Sequence, residues 1–241
     1  MTVSGHLNEL RRRLFWMAAV FVAASVVCFL FIERFVELAL AMSPDFNFVY
    51  LSPSELFTSY LKLACVLGLV FSSPFILWQI WAFIQPGLTE EEGKSSLSAI
   101  VAGFVFFLLG AIFCFLVILP ITLQFFYNFN GSTEITASIS FNNYMNFILS
   151  MVVAFGIVFE LPVLSYLLAR LGLLKPEWLV SVRKFAILLV FVIAAAITPP
   201  DVVSQLMTAV PMLLLYELSI FVCRRAYRSR KAEESDEELE E

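Results

Sequence analysis

FILSMVVAFGIVFELPVLSYLLA, running from Phe147 to Ala169, carries one charged residue, Glu160, near its middle. A membrane-spanning helix needs about 20 mainly apolar residues, and this stretch supplies them. A carboxylate at that depth costs roughly 2.5–3.5 kcal/mol on insertion scales, and chains keep such groups where they face protein or a water-filled interior. Gly156 lies one helical turn before Glu160 on the same face, which invites close approach by a neighbouring helix. Pro162 withholds a backbone donor and favours a bend. Two readings of Glu160 follow: an internally hydrogen-bonded or protonated group that holds helices together, or a functional acid within the membrane.

The rest of the chain has the same character. Hydrophobic residues make up 61% and charged residues 15%, with a mean hydropathy of +0.90, whereas soluble domains carry about 25% charged residues. The chain therefore reads as an integral membrane protein. Its formal net charge of −5 hides an asymmetry, because Glu233 to Glu241 holds seven acids and the remainder balances 13 acids against 15 bases. Residues 224–241, basic and then acidic, read as a solvated, disordered tail, which leaves 1–223 as the membrane domain. Cys28, Cys65, Cys114 and Cys223 all lie in apolar segments without metal-ligand spacing, and read as buried structural thiols. The first apolar run has no small-residue cleavage site after it and reads as a retained span.

Six spans can be drawn, at about 14–32, 60–82, 98–120, 147–169, 185–198 and 202–222. An even number puts both termini on one side. With the termini cytoplasmic, 13 of the 15 basic residues fall inside and only Arg34 and Lys62 outside, which sets the orientation. The fifth span is cut short by Pro199-Pro200 and covers roughly 21 Å, against a hydrocarbon core of about 30 Å. Pro211 interrupts the sixth and favours a kink. No internal repeat is evident. The two outer connections, about 33–59 and 121–146, are long and aromatic, and together they read as an outer cap. In Ser52-Pro53-Ser54-Glu55, a capping box with proline at the first helical position starts a helix that runs into the second span.

Near the N-terminus, His6-Leu7-Asn8-Glu9-Leu10-Arg11-Arg12-Arg13-Leu14 reads as an interfacial helix with Glu9 and Arg13 paired at i, i+4. It serves either to set topology or to offer an acidic receptor point. The second inner connection, Trp81 to Lys94, holds Glu90, Glu91 and Glu92, with Thr89 and Glu92 spaced as a capping box for the third span. Its Gly93-Lys94-Ser95 is not a phosphate loop: five residues separate Gly87 from Gly93 where four are needed, no strand precedes it, and three carboxylates would repel phosphate. Carboxylates clustered on a basic inner surface suit a partner that brings guanidinium groups. Asp201, after Thr198-Pro199-Pro200, reads as the cap of the sixth span, and Gln205 and Glu217 are polar groups that need partners.

HLNELRRRL, LSPSELF, WAFIQPGLTEEEGK, FGIVFELP and TPPDVVSQ, with LYELSIF downstream, occur in this order from residue 6 to 221. Collectively they resemble the TatC family, the six-span core of the twin-arginine protein translocase. The resemblance implies an all-α fold in a cupped bundle with both termini cytoplasmic, placed in the bacterial plasma membrane. It implies a receptor for the twin-arginine signal peptides of folded cargo, working with small single-span subunits of the TatA and TatB type and self-associating in a larger complex. Transport would draw on the protonmotive force, with no cofactor, metal or nucleic acid. Carried onto this chain, Glu9 and Glu92, with Arg11 and Glu91 beside them, would bind the signal. Glu160, Gln205 and Glu217 would contact partner helices. Pro53, Glu55, Phe57 and Asp201 would shape the outer segments, and Phe83 and Pro86 the inner loop. The basic residues often found around the loop acid are replaced here by Glu90 and Glu91, which leaves open how the three glutamates share the contact.

A small-solute transporter using Glu160 as a proton carrier would need a midplane pocket. An intramembrane enzyme is excluded on motif grounds: there is no HExxH, no pair of intramembrane aspartates, and His6 is the sole histidine.

Overall fold

Each long apolar run forms helix, as a backbone without water to satisfy it must. A computed structural model describes residues 3–44, 46–84, 96–129 and 138–240, with side chains over 8–44, 46–83, 100–128 and 138–232. The order is α1 (Val3–Leu30), α2 (Ile32–Ala41), β1 (Asn47–Val49) and α3 (Pro53–Ile84), then α4 (Ser96–Phe113), a wide π turn (Cys114–Ile118) and α5 (Leu119–Phe129). There follow β2 (Ser138–Ser140), α6 (Phe141–Arg170), α7 (Pro176–Ser181), α8 (Arg183–Ile197) and α9 (Val202–Glu240). Among the described residues, five stretches are long and apolar enough to cross a bilayer: Asn8–Leu30, Pro53–Phe83, Ile100–Asn128, Phe141–Arg170 and Val202–Ala232. The fifth expected span is α8, apolar but only 15 residues long.

The helices outrun the apolar runs that betray them. Helix α3 begins at Pro53 and α6 at Phe141, several residues before the expected spans. Helix α9 continues to Glu240, where the sequence suggests a disordered tail. Its Arg, Lys, Ala and Glu residues after 223 are good helix formers, so a helix started in the membrane can propagate through them. The all-α expectation holds apart from one small addition. β1 and β2 pair in parallel, Phe48 opposite Ile139, and tie the two long connections together.

Packing divides the chain into two units. The first comprises Met1–Pro86 with Ala111–Ala154, the second Gly87–Gly110 with Phe155–Glu241. In the first, α1 and α3 meet backbone to backbone at Gly68. A Cβ there would lie 2.1 Å from the Ser25 hydroxyl oxygen and 2.8 Å from its backbone nitrogen. Gly68→Leu is therefore expected to cost about 3 kcal/mol or more by forcing the helices apart, read as a lowered thermal midpoint in detergent. Pro74, inside α3, cannot donate to the Val70 carbonyl, and the Ser73 hydroxyl takes up that acceptor at 2.7 Å. The π turn precedes Pro120: the Leu119 amide donates to the Cys114 carbonyl, five residues back. Widening the helix there relieves the clash a proline makes with the preceding turn. Beneath the strands, Ile32, Val36, Leu63, Phe141, Met145 and Leu149 pack as a core.

In the second unit α4 and α6 are closely apposed. A Cβ on Gly156 would come within 2.8 Å of the Phe107 ring, and one on Gly110 within 2.7 Å of the Phe155 carbonyl. The neighbour that Gly156 was expected to admit is thus Phe107. Helices α6 and α9 run through Pro162 and Pro211. Helix α9 packs on α7 around Leu179, Tyr216, Ile220, Cys223 and Ala226. Cys28, Cys114 and Cys223 are buried, Cys65 is half-buried, and all four are free thiols.

Candidate functional site

A cavity of about 810 Å³ opens between the first turns of α1 and the end of α3. Asn8, Glu9, Arg12, Arg13 and Trp16 line it from α1, and Phe75, Trp78, Gln79 and Ala82 from α3. The i, i+4 pair expected from the sequence is formed. Arg13 donates to Glu9 Oε1 through Nη2 at 2.6 Å and through Nε at 3.1 Å, and its Nη1 reaches Gln79 Oε1 at 3.1 Å. Glu9 is thereby fixed to the wall of the groove, with a side chain 26% exposed. Its second oxygen, Oε2, has no partner among the described residues. The indole rings of Trp16 and Trp78 are each about half exposed beside it. Such a site offers an anchored carboxylate oxygen and two aromatic faces, the surroundings that a planar cation uses best.

Arg11 is exposed and is not among the residues lining the groove. Phe83 is half-buried at the end of α3. Glu91, Glu92 and Pro86, like Thr89 and Glu90, lie outside the described residues. Sequence reasoning missed Gln79, Trp16 and Trp78. A glutamine inside an apolar run was the available signal for Gln79, but nothing local says that its partner is Arg13.

Glu160 is 7% exposed, and its Oε1 has no hydrogen-bond partner among the described residues. The reading in which hydrogen bonds inside the bundle hold Glu160 finds no support there. Gln205 and Glu217 are used differently. Gln205 Nε2 donates to the Phe191 carbonyl at 3.1 Å and ties α9 to α8. Glu217 is exposed and accepts from Arg183 Nη2 at 2.9 Å.

Near the β1–β2 pair α3 starts at Pro53 as expected, but the cap differs from a capping box. Glu55 Oε2 accepts from the amide of Leu51, one residue earlier than a box requires, and its Oε1 accepts from the Ser140 hydroxyl. Glu55 thus joins both long connections, and Phe57 stands exposed with its edge towards Phe29, ring centroids 6.4 Å apart. Nearby, Lys62 donates to Asn146 at 2.9 Å. Asp201 caps α9 as expected, its Oδ1 accepting from the Ser204 amide at 2.7 Å and its other oxygen from the Ser204 hydroxyl. Asp201→Ala is expected to cost about 1 kcal/mol, and Asp201→Asn much less, measured as unfolding midpoints.

These features define a helical, multi-pass membrane protein with an acid-and-aromatic groove and a buried glutamate that has no partner among the described residues. The family model for the Sec-independent protein translocase protein TatC matches residues 5–211, and the chain belongs to that family. It is 38% identical over 227 residues to TatC of Carboxydothermus hydrogenoformans, covering 93% of each chain. To TatC of Aquifex aeolicus it is 38% identical over 237 residues, 96% of this chain and 98% of that one. A crystal structure described as the twin arginine translocase receptor TatC superposes with a TM-score of 0.84 at 38% identity, covering 92% of this chain and 99% of the other. Family membership makes the chain a protein-translocase component and sets aside the small-solute transporter.

Proposed function

We propose that this chain is the receptor of a bacterial translocase for folded proteins, and that the groove between α1 and α3 takes the arginine pair of a twin-arginine signal peptide. The observation that carries the proposal is Glu9, held in place by Arg13 with its second carboxylate oxygen unpartnered among the described residues, in a groove that Trp16 and Trp78 also line. One guanidinium pairs with Glu9 while its plane stacks on indole. Arg12 and Arg13 keep the wall from being uniformly acidic, so a merely basic segment is not favoured. Glu91 and Glu92, which follow α3 in the sequence, and the exposed Arg11 of α1 belong to the same signal-binding surface in this reading. Single-span subunits of the TatA and TatB type bind where Glu160 needs a partner, and Gln205 and Glu217 on α9 offer them further polar contacts in this reading.

In this reading the chain sits in the plasma membrane with both termini cytoplasmic, as its basic residues dictate. The β1–β2 pairing and the Glu55 contacts build the outer cap. Copies associate in a larger complex, and the role is binding and transport driven by the protonmotive force, with no chemical step of its own. A photo-crosslinker in place of Gln79 tests the site. It is expected to capture a bound signal peptide next to its arginine pair, whereas capture only from a probe at Phe221 would overturn the assignment.

A further inference from the structure

Along α9 the exposed apolar side chains form one stripe, Leu206, Val210, Leu214, Leu218 and Phe221, at spacings of three and four. Met212, Tyr216, Ile220, Cys223 and Ala226 face the other way and are buried. In a bilayer the first stripe meets lipid chains. Beyond Phe221 the same side turns basic: Arg224, Arg225 and Arg228 are all exposed. None of the three has a side-chain partner among the described residues.

This basic stretch is held firmly. Gly172, with φ +68°, lies against the Arg230 guanidinium, and a Cβ there would fall 1.4 Å from Nη1. Arg170 Nη1 donates to the Ser229 hydroxyl at 3.3 Å, and Ala226 is buried. On α7, Trp178 is exposed, and the adjacent Leu179 carbonyl accepts from the Tyr216 hydroxyl at 2.7 Å. An exposed tryptophan at such a place marks headgroup depth.

We propose that Arg224, Arg225 and Arg228 form a binding site for anionic phospholipid headgroups, the phosphodiester of a phosphatidylglycerol-class lipid, where α9 leaves the hydrocarbon. Guanidinium forks match phosphate oxygens, and bases clustered just past a span draw acidic lipids. The rival occupant is the chain's own acidic end. Residues one turn on from the three arginines are Arg228, Ser229 and Ala232, so no acid stands at i, i+4 to neutralise them. The proposal rests on α9 spanning a bilayer and not on signal binding, so its failure and that of the receptor reading are separable.

The test is native mass spectrometry of the full chain from nanodiscs of equal phosphatidylglycerol and phosphatidylcholine. The wild type is expected to retain phosphatidylglycerol preferentially. R224Q/R225Q/R228Q should lower that retention about tenfold or more, while R224K/R225K/R228K keeps most of it. Equal retention of the two lipids by the wild type would overturn the proposal, as would undiminished phosphatidylglycerol on the glutamine variant. Phosphatidylglycerol binding that appears only after deletion of residues 233–241 would do the same, by showing that the acids occupy the site.

Discussion

Glu9→Lys is expected to weaken binding of an arginine-pair signal peptide by at least tenfold, and Glu9→Gln by somewhat less. Removing one partner of a partly desolvated charge pair costs about 2–5 kcal/mol, and reversal adds repulsion to that loss. Glu9 is only 26% exposed, so solvent screens it less than a surface acid. Arg13 gives the prediction its finer structure. It fixes Glu9 Oε1 and links it to Gln79, so Arg13→Ala frees the carboxylate but lets it swing. The peptide then gains an unpaired acid and loses a preorganised one, and a several-fold loss of affinity is expected. Titration of each variant with a fluorescent peptide separates these outcomes. Wild-type affinity in Glu9→Lys would remove Glu9 from the site.

Glu160→Ala is expected to weaken association with single-span partner subunits about tenfold while leaving signal affinity unchanged. The carboxyl group is almost fully buried and lacks a partner among the described residues. A polar group in that position gains from a hydrogen-bonding side chain on an incoming helix, and such bonds are worth about 1–2 kcal/mol within a membrane. Glu160→Gln, which can still donate and accept, should keep most of the association. Co-purification of tagged partner subunits from detergent, run beside peptide binding, is the measurement. Equal loss of both activities in Glu160→Ala would show that Glu160 holds the fold together instead.

The spans were legible because the membrane demands long apolar runs, and their punctuation was legible because proline and capping residues act locally. Pro53 opens α3 and Asp201 caps α9 where the sequence placed them. Glu9 and Arg13 could be paired from spacing alone, since residues one turn apart must meet. The rest depended on contacts between distant segments. Asn47–Val49 and Ser138–Ser140 are too short to show a strand pattern, and their pairing is fixed by the packing of α2, α3 and α6 beneath them. Gln79 joins Arg13 across 66 residues, which no local pattern announces. Gln205 could be read as needing a partner, but not which one, because its acceptor is a backbone carbonyl and every residue has one. The tail misled for another reason: composition marks residues that water can solvate, and these same residues also continue a helix well.

The most direct test of the receptor claim is a titration of the purified chain in detergent with labelled twin-arginine peptide, its Lys-Lys counterpart, and the Glu9→Ala/Glu92→Ala variant. The account predicts tight binding only for the arginine pair on the wild-type chain, because a lysine ammonium cannot match the carboxylate and stack on indole together. Equal affinity for the Lys-Lys peptide, or undiminished binding by the double variant, would contradict it.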